Sequence, residues 1–394
     1  MSGILSFLMI PLVVQLCGKA VYGVYSIIFN TLSIVAMFCY AWIGQSYIRF
    51  YSQQKNQLDI VSERLLRKSL LVGFCFFVPL SILLTSASIG ELIFFMPSFF
   101  LFGYYCYYLL VFQAKQKAVL IMICEIIRTA INILVALTLL KFFGNKHSIE
   151  ILAVALFFSY LLPLMILIYK NKLNKVELDN KSVQAITKQI VQFGIPIALF
   201  LSGSLALSVN DRFLISYLIN KESAGTYAAI YDVMNKGVIA VFSPILMTFY
   251  PVIAKLYNEK KEEEAFLKLK KLLMLEMCLM AVGFVLLIFV CPYLLKIVFK
   301  QEASPELFQI TYLIFIGVCL WQIAMLVHKR LELKSQTKYM AIAVFIAFLV
   351  NVTANYFFLK TSNNLMIPAI TTIAGSVVYI ILVKVFSQKN FFEQ

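Results

Sequence analysis

Charge is scarce in this chain. Asp, Glu, Lys and Arg make up 13% of its 394 residues, against 62% hydrophobic residues and a mean hydropathy of +0.89. That balance excludes a soluble globular domain. Turn formers are thin as well, with 15 Gly and 10 Pro, and no ten-residue alternation of apolar and polar positions occurs, which excludes an outer-membrane barrel. Histidine is almost absent: His147 and His328 fall in expected loops on opposite membrane faces, too far apart for one metal site. The eight cysteines lie in or beside apolar runs with no CxxC, so they read as packing residues. No metal or other cofactor is expected. The net charge of +15 has no soluble basic face on which to gather, which excludes nucleic acid as a partner.

What the chain does have is long apolar runs. They give an all-α polytopic membrane protein of about twelve helices, at 2–17, 21–46, 69–88, 92–113, 118–140, 150–169, 191–217, 225–250, 271–293, 306–327, 339–358 and 364–386. The first run is short for a full crossing and lacks the basic start and cleavage site of a signal peptide. It is therefore either an abbreviated span or one lacking its natural start. Lys and Arg alternate between loops: 24 of the 34 fall in one set (47–68, 115–117, 170–188, 255–271, 329–338 and 384–389) and 7 in the other. The positive-inside rule makes the first set and both termini cytoplasmic.

The polar break 171–190 separates an N-lobe (1–170) from a C-lobe (191–386), leaving 387–394 as a cytoplasmic tail. Leu16, Lys19, Gly23, Tyr25, Ile28 and Asn30 recur as Leu218, Lys221, Gly225, Tyr227, Ile230 and Asp232 at a constant offset. Both copies enter the second span of their half from the same side, so the lobes form a parallel pseudo-repeat of six spans each. In that arrangement substrate is expected between lobes that rock around it.

Ionisable groups at membrane depth mark a pathway unless paired for structure alone. Glu125, Arg128 and Asn132 share one helix face, and Arg128 lies about 15 Å into its span. Asp232 and Lys236, with Asn235 alongside, are spaced as an i,i+4 pair. In each case the alternative is a salt bridge holding helices together. Asp211 and Arg212 are neighbours pointing about 100° apart, expected at the periphery with their heads reaching for water. Arg49 closes the second span as an interfacial anchor or as a first contact for an anionic headgroup. The stretch 259–271 and Glu276 read as a solvated lead-in to a span, with no chemistry assigned. The first two pairs are the expected cavity lining.

Phe193-Gly194-Ile195-Pro196, Asp211-Arg212-Phe213-Leu214-Ile215, Ala224-Gly225-Thr226-Tyr227, Val21-Tyr22-Gly23-Val24-Tyr25 and Ile48-Arg49-Phe50-Tyr51 together resemble the Wzx-like polysaccharide flippases over nearly the whole chain. The resemblance implies a member of the multidrug, oligosaccharidyl-lipid and polysaccharide exporter superfamily, not an enzyme. Such proteins carry a polyprenyl-pyrophosphate-linked oligosaccharide from the inner to the outer leaflet of a bacterial cytoplasmic membrane. The expected partners are that lipid-linked oligosaccharide, membrane lipids and polysaccharide polymerase or assembly proteins. On this reading Arg128, Arg212, Lys236 and Arg49 meet the pyrophosphate, and Asp232, Glu125 or Asp211 couples transport to protons or sodium. Asn132, Asn235 and Asn30 add polar support. The rivals are a multidrug or metabolite antiporter of the same fold, a membrane glycosyltransferase or polymerase, and a scaffold without transport.

Overall fold

In a computed structural model of the chain, residues 2–85, 89–171, 180–300, 304–334 and 336–389 are described, and among them every regular element is helical. The reason is the solvent: hydrocarbon offers backbone groups no partner, and a helix satisfies them within its own segment. Prolines at 11, 79, 163, 196 and 292 are carried inside helices. The elements are α1 (Ser2–Cys17), α2 (Lys19–Thr85), α3 (Ile89–Ile93), α4 (Met96–Ala114), α5 (Ala118–Phe143), α6 (Ser148–Lys170), α7 (Asn180–Leu218), α8 (Lys221–Asn258), α9 (Glu262–Phe299), α10 (Pro305–Val327), α11 (Lys329–Leu333), α12 (Thr337–Ser362) and α13 (Met366–Lys389). Eleven described segments are long and apolar enough to cross a membrane, and Phe7–Cys17 is a shorter apolar helix. Side chains such as Phe142, Phe289 and Phe345 are exposed, as a lipid-facing surface requires.

The second and third expected spans are one element. α2 runs for 67 residues, which as a straight rod would be about 100 Å. Instead it doubles back: Ser69 Oγ donates to the Cys39 carbonyl at 2.9 Å, and the Tyr47 hydroxyl donates to Asp59. The segment expected as a loop, 47–68, contains neither Gly nor Pro, so its flanks stay helical and the reversal is confined to the few residues between Tyr47 and Asp59. Of the expected linker 171–190, residues 180–190 form the start of α7, and 172–179 lie outside the described residues. The tail residues 390–394 also lie outside them.

The contacts divide the chain into two compact units, Met1–Met9 with Val24–Leu205, and Ile10–Gly23 with Ala206–Gln394. The first unit has an aromatic core in which Phe77 stacks on Phe99 at 5.2 Å and Tyr160 packs edge-on against Phe102 at 5.3 Å. At Gly194 a side chain has no room, since a Cβ there would lie 2.1 Å from the Trp42 carbonyl oxygen. Beside it Ser46 Oγ donates to the Ile190 carbonyl at 3.0 Å, joining α2 to α7.

The second unit holds a reciprocal contact between the two copies of the repeated motif. A Cβ on Gly23 would lie 2.4 Å from the Lys221 carbonyl oxygen, and one on Gly225 would lie 1.8 Å from that of Lys19. The paired residues are equivalents in the repeat, so each copy offers the other the same surface, the signature of a two-fold contact. Gly225→Val should therefore force these helices apart and cost about 3 kcal/mol, read as a lower thermal midpoint in detergent. Gly237→Ala, in α8 where a Cβ meets nothing within 4 Å, should be neutral or stabilising.

Candidate functional site

In the first unit, α5 carries Glu125 and Arg128 one turn apart, and they pair through Nη2 and Oε2 at 2.9 Å. The other carboxylate oxygen accepts from the Tyr105 hydroxyl at 2.7 Å, and the guanidinium lies 5.6 Å from the Tyr160 ring centroid. Both charged side chains keep some exposure, 20% for Arg128 and 26% for Glu125, so the pair is held without being sealed. Asn132 is buried two turns along, its Oδ1 without a hydrogen-bond partner. Asn30, also buried, donates to Ser26 at 3.2 Å. Arg49 is exposed at the end of the first arm of α2, its guanidinium 4.3 Å over Phe193.

The second unit holds the larger cluster, and here the peripheral placement expected for Asp211 and Arg212 is corrected. Asp211 is fully buried and Arg212 is 3% exposed. Their side chains do diverge, as neighbours on a helix must, but each enters the protein. Arg212 pairs through Nη2 with Asp232 Oδ1 at 2.5 Å, and Asp232 Oδ2 also accepts from the Tyr22 hydroxyl at 2.5 Å. Asp232 is thus engaged by Arg212 from α7 as well as lying one turn from Lys236 on α8. Lys236 and Asn235 are half-buried, one turn, about 6 Å, further along α8.

Asp211 accepts three hydrogen bonds: Thr372 Oγ1 at 2.6 Å, the Tyr227 hydroxyl at 2.8 Å and Asn355 Nδ2 at 2.8 Å. Asn351 Nδ2 donates in turn to Thr372 Oγ1 at 3.3 Å. These residues converge because α7, α8, α12 and α13 each bring one to a similar depth. Asp211, Tyr227, Asn355 and Thr372 lie six or seven residues from the helix ends at Leu218, Lys221, Ser362 and Met366, about 10 Å along the axis. Among the described residues Asp211 makes no ion pair, its neighbour Arg212 being committed to Asp232. Two more oxygens there, Oδ1 of Asn351 and of Asn355, are buried with no partner.

Tyr22 and Tyr227 were read only as parts of motifs, and Asn351, Asn355 and Thr372 were not singled out from the sequence, although Asn351 and Asn355 are spaced as i,i+4 in an otherwise apolar run. Glu276, expected in a solvated lead-in, is 2% exposed within α9. His328 is buried at the α10–α11 junction, Nδ1 3.3 Å from the Tyr379 hydroxyl, rather than in an open loop. Among the described residues no group of three or more His, Cys, Asp or Glu is placed to hold a metal ion. Arg212→Ala leaves Asp232 without its counter-ion and should cost about 3–5 kcal/mol. Arg212→Met with Asp232→Leu should recover most of that loss, measured as thermal midpoints of the purified single and double variants.

The fold is similar to that of solved transporters. A structure described as lipid II flippase MurJ in an inward closed conformation matches with a TM-score of 0.71 at 15% identity, covering 98% of this chain and 86% of that one. A multidrug resistance MATE family transporter of the MOP superfamily, inward-facing, matches at 0.69 and 13% identity over 98% of both chains. The Vibrio cholerae MATE transporter VcmN, in its bent form, matches at 0.64 and 12% identity over 98% of this chain and 94% of that one. A comparison with curated protein sequences gives no match. These likenesses show that the chain shares the fold of those transporters, and the eleven long apolar helices among its described residues make it a multi-pass membrane protein. The family model described as polysaccharide biosynthesis protein matches residues 1–257, and the chain belongs to that family.

Proposed function

We propose that the protein is a flippase of a bacterial cytoplasmic membrane, moving a polyprenyl-pyrophosphate-linked oligosaccharide from inner to outer leaflet for cell-surface polysaccharide assembly. The observation that carries the substrate class is membership of the polysaccharide biosynthesis family. The chemistry fits: a saccharide headgroup with two phosphates needs cations and hydrogen-bonding groups wherever it leaves water. Arg128 suits that role, being fixed by Glu125 and Tyr160 yet partly exposed, and guanidinium matches phosphate oxygens. Lys236 and Arg49 are further cationic contacts on this reading. Arg212, locked to Asp232, acts by holding α7, α8 and Tyr22 in register.

Coupling falls to Asp211. A buried carboxylate with hydrogen bonds but no counter-ion is costly, and a monovalent cation supplies the missing charge. Asn355 Oδ1, Asn351 Oδ1 and Thr372 Oγ1 would offer such a cation further oxygens beside Asp211. Hard cations favour such an all-oxygen set. A multidrug or metabolite antiporter is the second reading, favoured by the likeness to multidrug transporters. It predicts drug efflux that is indifferent to Arg128.

In a host lacking this protein, lipid-linked intermediates should accumulate in the inner leaflet. Wild type should restore glycan export, and Arg128→Ala should lower it about tenfold, the cost of one charge-assisted contact. Undiminished export by Arg128→Ala and Arg128→Glu would remove this residue from the mechanism. Sodium at ten times its dissociation constant should stabilise the purified protein by about 1.4 kcal/mol relative to choline chloride. Asp211→Asn should abolish that shift.

A further inference from the structure

A cavity of about 640 Å³ opens in the second unit where α9 begins, between its first turns, the α10–α11 junction and the end of α13. Its floor is apolar, built from Leu269, Leu273 and Leu326, and belongs to a small cluster with Ile253 and Leu272. Its rim carries charge of both signs: Lys270, Arg330 and Lys384 on one side of the balance, Glu262 and Glu263 on the other. A groove with a lipid-like interior and an ionic mouth suits an amphiphile.

Arg330 decides where the headgroup sits. Its guanidinium lies 4.3 Å over the Phe266 ring, its Nε is buried with no hydrogen-bond partner, and among the described residues it makes no ion pair. The nearby carboxylate of Glu332 is already taken, by Lys329 Nζ at 2.5 Å and the Tyr250 hydroxyl at 2.8 Å. An oriented guanidinium that makes no ion pair at a part-apolar mouth is a receptor for a phosphate. The carboxylates then choose among phosphates. Glu262 and Glu263 are about one helical turn, roughly 5 Å, nearer the start of α9 than Phe266. A two-carbon arm between phosphate and ammonium spans that distance. The apolar floor runs the opposite way from Phe266, into the span, where acyl chains lie. An anionic headgroup brings two carboxylates only a neutral hydroxyl or a second negative charge, and a choline headgroup has no N–H to donate.

We propose that this groove is a selective site for an aminophospholipid, its phosphate on Arg330 with Lys270 and Lys384 alongside, its primary ammonium on Glu262 and Glu263, and its chains on the leucine floor. The proposal is independent of the flippase reading, because the groove involves neither charge cluster.

The test is native mass spectrometry of the full-length protein in detergent, titrated with phosphatidylethanolamine, phosphatidylcholine and phosphatidylglycerol of identical chains. Wild type should retain phosphatidylethanolamine at about tenfold lower concentration than phosphatidylcholine, the effect of charge-assisted hydrogen bonds from the ammonium. Arg330→Gln should weaken phosphatidylethanolamine retention by about the same factor. Glu262→Gln with Glu263→Gln, both at exposed positions, should erase the gap between the ethanolamine and choline lipids while leaving phosphatidylglycerol binding intact. Equal retention of the two zwitterionic lipids by wild type, or a stronger preference for phosphatidylglycerol, overturns the assignment. So does a wild-type pattern in Arg330→Gln.

Discussion

The pairing of Arg212 with Asp232 is the interaction on which the second unit's polar interior depends. Two ions brought into a low-dielectric span repay their lost hydration only through close geometry and further hydrogen bonds. Here the Tyr22 hydroxyl supplies one, and the Tyr231 ring lies 5.1 Å from the guanidinium. The pair also removes Arg212 from competition for Asp211, the next residue. That leaves Asp211 held by two hydroxyls and an amide rather than by a direct ion pair.

The first unit solves the same problem differently. Glu125 and Arg128 neutralise each other on one helix, so no second helix is needed to complete the charge balance. Tyr105 and Tyr160 then fix the pair from α4 and α6. A self-contained pair with a partly open guanidinium presents positive charge to a ligand without depositing net charge in the bilayer. On the proposed function, one cluster would meet a large anion and the other a small cation.

Hydropathy alone made the all-helical membrane fold legible, because in hydrocarbon length and apolarity decide the element. The i,i+3 pair on α5 was legible for a similarly local reason. The Arg212–Asp232 pair was not: its members are 20 residues apart on two helices, and the nearer candidate Lys236 satisfied the spacing rule. Asp211 looked peripheral because adjacent opposite charges near a helix end commonly reach for water. Burial by α12 and α13 overrode that expectation, and their contributions, Asn355 and Thr372, come from 144 and 161 residues away. The helical hairpin of α2 was hidden by a different habit, that of reading a charged stretch as a loop when its residues are good helix formers.

The reciprocal contact of Gly23 and Gly225 bears on how such a chain can diverge. Where two copies of a duplicated segment lie apart, each drifts freely once its own surroundings tolerate the change. Here the copies touch through equivalent atoms, with the Lys19 and Lys221 carbonyls as the facing walls. A bulkier residue in one copy pushes against the other, so packing couples the two glycine positions. Packing alone thus demands the same small residue at both positions, whatever the rest of the repeat becomes.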